Sequence, residues 1–111
     1  MARTLLSVQP VVRTGLAVSY AAADGTDQNA VPNDGRTILH VKNGGGSSIN
    51  VTIDTPGSVD GLAVGNLVVA VPAGAERFIG PFPTNIYSQA DGNLYVDWSA
   101  VTSVTVAALT F

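Results

Sequence analysis

The residues that could do chemistry in this chain are few, and their spacing limits that chemistry. His40 is the only histidine. It alternates with Leu39 and Val41, so it is expected on the strand face opposite the core. No Gly-x-Ser-x-Gly elbow supplies a nucleophile for it, and a structural role fits that setting better than catalysis. One histidine also excludes a two-histidine metal site within one chain. Gly44-Gly45-Gly46-Ser47-Ser48 has the freedom of a phosphate cradle. Yet no lysine follows it, and the next segment reads as a strand rather than a helix. It is expected to be a hairpin loop. Asp24-Gly25-Thr26-Asp27-Gln28-Asn29 puts several oxygen ligands on one loop, as calcium requires. The Asp-x-Asp-x-Asp-Gly order and a later glutamate ligand are missing, and Asp and Asn favour turns for local reasons. Paired carboxylates could serve glycoside hydrolysis. Glu76 is the sole glutamate, and Asp97 lies on the opposite strand face from Trp98. Tyr20, Phe78, Phe82, Tyr87, Tyr95, Trp98 and Phe111 would hold a sugar only through an exposed coplanar pair; packing in core and edges is the simpler use. No cofactor, metal site or catalytic residue is expected, and the chain does not read as an enzyme.

These residues must be positioned by short strands. Arg36 to Lys42 reads as a strand, Gly44 to Gly46 breaks it, and Ser48 to Asp54 alternates apolar and polar, with Ile49, Val51 and Ile53 on one face. A β-hairpin is the simplest link between the two. Residues 58–65 form a Gly-rich turn region. Asn66 to Val71 is apolar after its first residue and is expected to be a strand buried on both sides. Pro72-Ala73-Gly74 turns the chain into Ala75 to Ile79, which Gly80-Pro81-Phe82-Pro83 stops. Leu94, Val96 and Trp98 share one face, as do Val104, Val106 and Ala108. Asp34-Gly35 and Asp91-Gly92 read as turns ahead of strands. Gly15 to Tyr20 is a weaker strand, and Ala21-Ala22-Ala23 could form one helical turn. The expected fold is all-β: a compact antiparallel β-sandwich or barrel, jelly-roll-like, of six to eight short strands. Residues 1–13 lack a clear alternation and read as an N-terminal arm or edge strand. Residues 14–111 then form the sandwich domain.

The 111 residues suit one domain. No cysteine is present, which excludes disulfides, cysteine zinc sites and thiol chemistry. The net charge of -3 argues against nucleic-acid binding, which needs clustered cations. No apolar run approaches the ~20 residues of a membrane span, and the N-terminus lacks a secretory pattern. The chain therefore reads as made in the cytoplasm. Charged residues are 12% of the chain, about half the usual ~25%. Either the surface is a neutral, hydroxyl-rich sheet, or partners cover much of it.

Asp34-Gly35-Arg36-Thr37-Ile38-Leu39-His40-Val41-Lys42-Asn43-Gly44-Gly45, then Val71-Pro72-Ala73-Gly74, then Ile79-Gly80-Pro81-Phe82-Pro83 and a terminal Val/Thr strand form a combined pattern. Over residues 34–111 it resembles small capsid decoration (cement) proteins of tailed bacteriophages. The resemblance implies a β-rich virion protein, located on the outer capsid surface and often trimeric. Its partners would be the major capsid protein and itself, and it would bridge neighbouring capsomers to stabilise the head. Residue character then nominates partner contacts that the resemblance does not single out: Arg3, Leu5, Leu6, Val8 and Arg13 on the arm, and Phe82 on its rigid turn. Two other readings are a tail or fibre accessory of a virion and a small carbohydrate-binding module.

Overall fold

A computed structural model of the chain describes residues 3–56, 58–59, 62–63 and 65–110. Phe111 and the middle of the Gly-rich turn region lie outside the described residues. Seven strands of four or more residues carry the fold. They are β4 (Asn29–Pro32), β5 (Thr37–Asn43), β6 (Ile49–Ile53), β9 (Leu67–Val71), β10 (Glu76–Ile79), β11 (Asn93–Trp98) and β12 (Val104–Thr110). Shorter pieces are β1 (Thr4–Leu5), β2 (Val8–Pro10), β3 (Ala21–Ala22), β7 (Ser58–Val59) and β8 (Leu62–Ala63), with one helical turn, α1 (Thr84–Tyr87). No helix among the described residues is long and apolar enough to cross a membrane.

Two sheets form a sandwich, which resolves the choice between sandwich and barrel. The first has the order β1-β4-β11-β6-β9; the second has β10-β5-β12-β2, with β3 also on β12. The alternation read from sequence sets the core. Val51, Ile53, Leu94, Val96, Leu39, Val41 and Val106 are all fully or almost fully buried between the sheets. Trp98 joins them, as its spacing from Leu94 and Val96 predicts.

Several expectations are corrected. Glycines 44–46 do not close a hairpin: β5 and β6 lie in different sheets. The loop carries the chain across the sandwich. Apolar residues on one face of each strand meet better across the core than side by side in one sheet. The apolar run at β9 is an edge strand, with Val68 55% exposed, rather than a strand buried on both sides. One face of the sheet packs on the core and the other meets solvent, so alternate residues of β9 are exposed. Ala21-Ala22 extends along β12 instead of forming a helical turn, and residues 15–20 hold no strand. Beta-4 was not legible, because Asn-Ala-Val-Pro mimics a loop.

The N-terminus is an edge strand rather than a free arm. Beta-1 pairs parallel with β4, and β2 pairs parallel with β12. Residues 3–10 thus cross from the edge of one sheet to the edge of the other. We call this segment the strap. All strand pairs among the seven longer strands are antiparallel; the parallel pairs belong to the strap. On the opposite side, β9 and β10 end their sheets and adjoin each other. That side carries no strap.

Candidate functional site

The residues nominated as partner contacts do not share one fate. Leu6 is 6% exposed and part of the core, because its N–H donates to Ala30 O (2.8 Å) and turns the side chain between the sheets. Val8 packs partly against the same core. Leu5, one residue earlier, faces out and is 59% exposed. Arg13 is exposed on the segment after the strap.

Phe82 is corrected outright. It is 1% exposed and among the largest buried side chains, so it cannot meet a partner. Gly80 explains the difference. Its φ of +122° sends the chain inward, and a Cβ there would lie 3.0 Å from Thr37 O. The Gly80–Pro81 peptide is cis. Phe82 then closes one end of the core, edge-on to Tyr87 at 5.5 Å.

Arg3 also turns inward on its own chain. Its guanidinium reaches Asp97 (2.6 Å) and Asp54 (3.3 Å) and lies 4.4 Å from the Tyr95 ring centre. It spans the outer face of the first sheet from β1 to the end of β6. Arg3, nominated as a partner contact, thus has its charge paired within the chain. Burial pushes Asp54 up to about 6, a hydrogen bond and repulsion from Asp97 add to this, and Arg3 opposes it. Below about pH 6 Asp54 carries a proton beside the Asp97 carboxyl and the Arg3 guanidinium. Close by, the Asn93 N–H and the Tyr95 hydroxyl hold Asp91 below the usual carboxylate range.

The loop weighed for calcium is occupied by the chain's own donors. Asp24 accepts from the Thr4 hydroxyl and from the Thr26 and Asp27 N–H groups, which lower its pKa. Asn29 is fully buried. It accepts from Trp98 Nε1 (2.8 Å) and from the Asp24 N–H, and it donates to Thr4 O (3.1 Å). The loop therefore fixes the strap to the core tryptophan. Among the described residues, no three of His, Cys, Asp or Glu gather where they could hold a metal ion.

His40 faces away from the core, as expected, but it is covered. With Nε2–H donating to Glu76 (2.8 Å), Nδ1 accepts from the Tyr20 hydroxyl (2.6 Å). Phe78 stacks on the imidazole at 4.1 Å, and Lys42 sits 4.0 Å from the Tyr20 ring centre. A carboxylate, an imidazole and a hydroxyl thus stand in the order of a hydrolytic triad. Here the hydroxyl is a phenol packed against sheet residues, and the chain of bonds braces Tyr20. Sequence reasoning missed this cluster. Its only signal was the cross-strand register of Phe78 with His40, which requires knowing that β10 pairs with β5.

An open groove of about 460 Å³ lies between the strap and residues 19–22, floored by β12 at Val106 to Ala108. Its walls include Leu5, Leu6, Tyr20 and Ala22. The exposed large apolar residues fall into two groups. Leu5, Val11 and Val12 follow the strap; Val68 and Phe78 lie on β9 and β10, Val68 on the outer face of the first sheet and Phe78 on that of the second, where His40 links it to the partly exposed Tyr20. No protein-family model, curated protein or solved structure matches this chain.

Proposed function

We propose that this chain is a virion structural protein that binds the outer surface of a phage capsid and bridges neighbouring capsomers, acting as a homotrimer. The observation that carries the reading is the spread of exposed apolar residues over more than one surface of the sandwich. A protein that bridges needs two separate contact surfaces, whereas a simple binder needs one. Leu5, Val11 and Val12 serve one neighbour, and Phe78, on the outer face of the second sheet at the far edge, serves the other. Low surface charge lowers the desolvation cost of covering both. Several weak contacts per trimer raise the effective concentration of the remaining ones, so no single contact has to be tight. The resemblance over residues 34–111 supplies the identity of the surface that is bridged.

The test is sedimentation of the purified protein with expanded empty shells, with its mass in solution measured by light scattering. A trimer that co-sediments with shells is expected. A monomer that stays in the supernatant would overturn the reading. Recovery of the protein only in tails of purified particles would move it to a tail or fibre accessory. Binding on a glycan array without shell binding would make it a carbohydrate module.

A further inference from the structure

The strap behaves as a ligand of the rest of the chain. Each of its ties goes to a residue at least ten positions away. Arg3 reaches Asp54 and Asp97, the Thr4 N–H donates to Gln28 O, and the Leu6 N–H donates to Ala30 O. Gln9 exchanges two hydrogen bonds with the Ser19 backbone (2.8 and 2.9 Å), and the Val11 N–H donates to Thr110 O. Without residues 3–10, the edges of β4 and β12 and the site of Leu6 would form a complementary slot.

The segment joining strap to slot is mostly exposed. Val11 and Val12 are 53% and 46% exposed; Arg13, Thr14, Gly15 and Ala17 are exposed as well. One local backbone bond, Gly15 N–H to Val12 O, orders it. Pro10 pairs with Thr110 and Ala21 with Val106. The connection thus has to return only four residues along β12, about 13 Å. Fully extended, the chain between Pro10 and Ala21 spans roughly 35 Å. This surplus lets the strap reach the slot of an adjacent molecule.

We propose that in the oligomer each copy places residues 3–10 in the slot of a neighbouring copy, with residues 11–18 as the crossing segment. The same bonds form in either arrangement, as in domain swapping. The difference is the effective concentration of the chain's own strap, of order millimolar. Copies held side by side in an assembly match that concentration. Straightened between two molecules, Val11 and Val12 gain neighbours they lack in the closed form. The inference deepens the homotrimer part of the proposed function, and its test uses the chain alone, so shell binding stands or falls separately.

The absence of cysteine makes the test clean. One variant carries Pro10→Cys and a second carries Thr110→Cys, positions that pair in register. They are mixed at about 1 mM, oxidised and separated under denaturing conditions. The expected product is a covalent pair with one copy of each variant, at least tenfold above the yield from Pro10→Cys mixed with Thr102→Cys. Thr102 is exposed near the other end of β12. A single chain carrying both Pro10→Cys and Thr110→Cys reports the closed form through an internal bridge. It is expected to shift to bridges between chains as concentration rises. A mixed pair no more abundant than the control, with an internal bridge at every concentration, overturns the exchange. A trimer by light scattering that forms no such bridge also overturns it, while leaving the shell-binding reading intact.

Discussion

The two sides of the sandwich solve the problem of unpaired strand edges in different ways. On one side, the strap covers the edges of β4 and β12 with a few parallel backbone bonds, a buried leucine and an arginine held by two carboxylates. On the other side, β9 and β10 end in solvent. They are short, and Glu76 and Arg77 put charges on the β10 edge, which discourages an incoming strand. Packing protects the first side and charge guards the second. Stability should therefore depend on the strap, while the open side should tolerate change and be available for contact.

The largest expected effect is at Leu6. Leu6→Ala should cost about 2–4 kcal/mol in urea denaturation, because it empties a core site that only the strap fills. A loss under about 0.5 kcal/mol would mean that the strap is not part of the folded core, and the contrast would fail. Next comes Asn29→Leu, which leaves the buried Trp98 N–H without its acceptor. The expected cost is about 1–3 kcal/mol.

Asp54→Asn should reshape the pH dependence of stability. The folded carboxyl, near 6, holds a proton that the unfolded chain releases near pH 4. Between those values the native state binds more protons, so this group makes stability fall as pH rises and adds no further change above about 6. Melting temperatures of wild type and variant should therefore diverge from pH 4 to pH 6, with the variant higher at pH 7. Parallel curves would show that folding does not raise Asp54. The smallest effect on folding is expected on the open side. Phe78→Ser should change stability by no more than about 0.5 kcal/mol, given its 68% exposure. It should still weaken shell co-sedimentation at least tenfold, as loss of an aromatic anchor does. Unchanged sedimentation would remove the open side from the bridging surfaces.

The strand alternation at Ile49, Val51 and Ile53 and at Leu94, Val96 and Trp98 was fully legible, and with it the all-β class. Partner strands were not. A period of two assigns each strand a buried face but does not say which sheet it enters, which is why glycines 44–46 suggested a hairpin. Exposure was legible only where local pattern decides it. Leu5 and Leu6 are adjacent in sequence, yet one is 59% exposed and the other 6%. Phe82 looked presentable because Gly-Pro-Phe-Pro is a turn, but the positive φ of Gly80 turns that bend into the core. The grouping of Arg3, Asp54 and Asp97 depends on residues up to 94 positions apart, and no local signal carries it.

The pairing of Val8 with Ala108 also sets a schedule for synthesis. The strap leaves the ribosome about a hundred residues ahead of its β12 partner. At ~5–20 residues per second, the strap waits roughly 5–20 s before its own slot exists. During that interval, finished copies nearby offer the only slots in which it could rest.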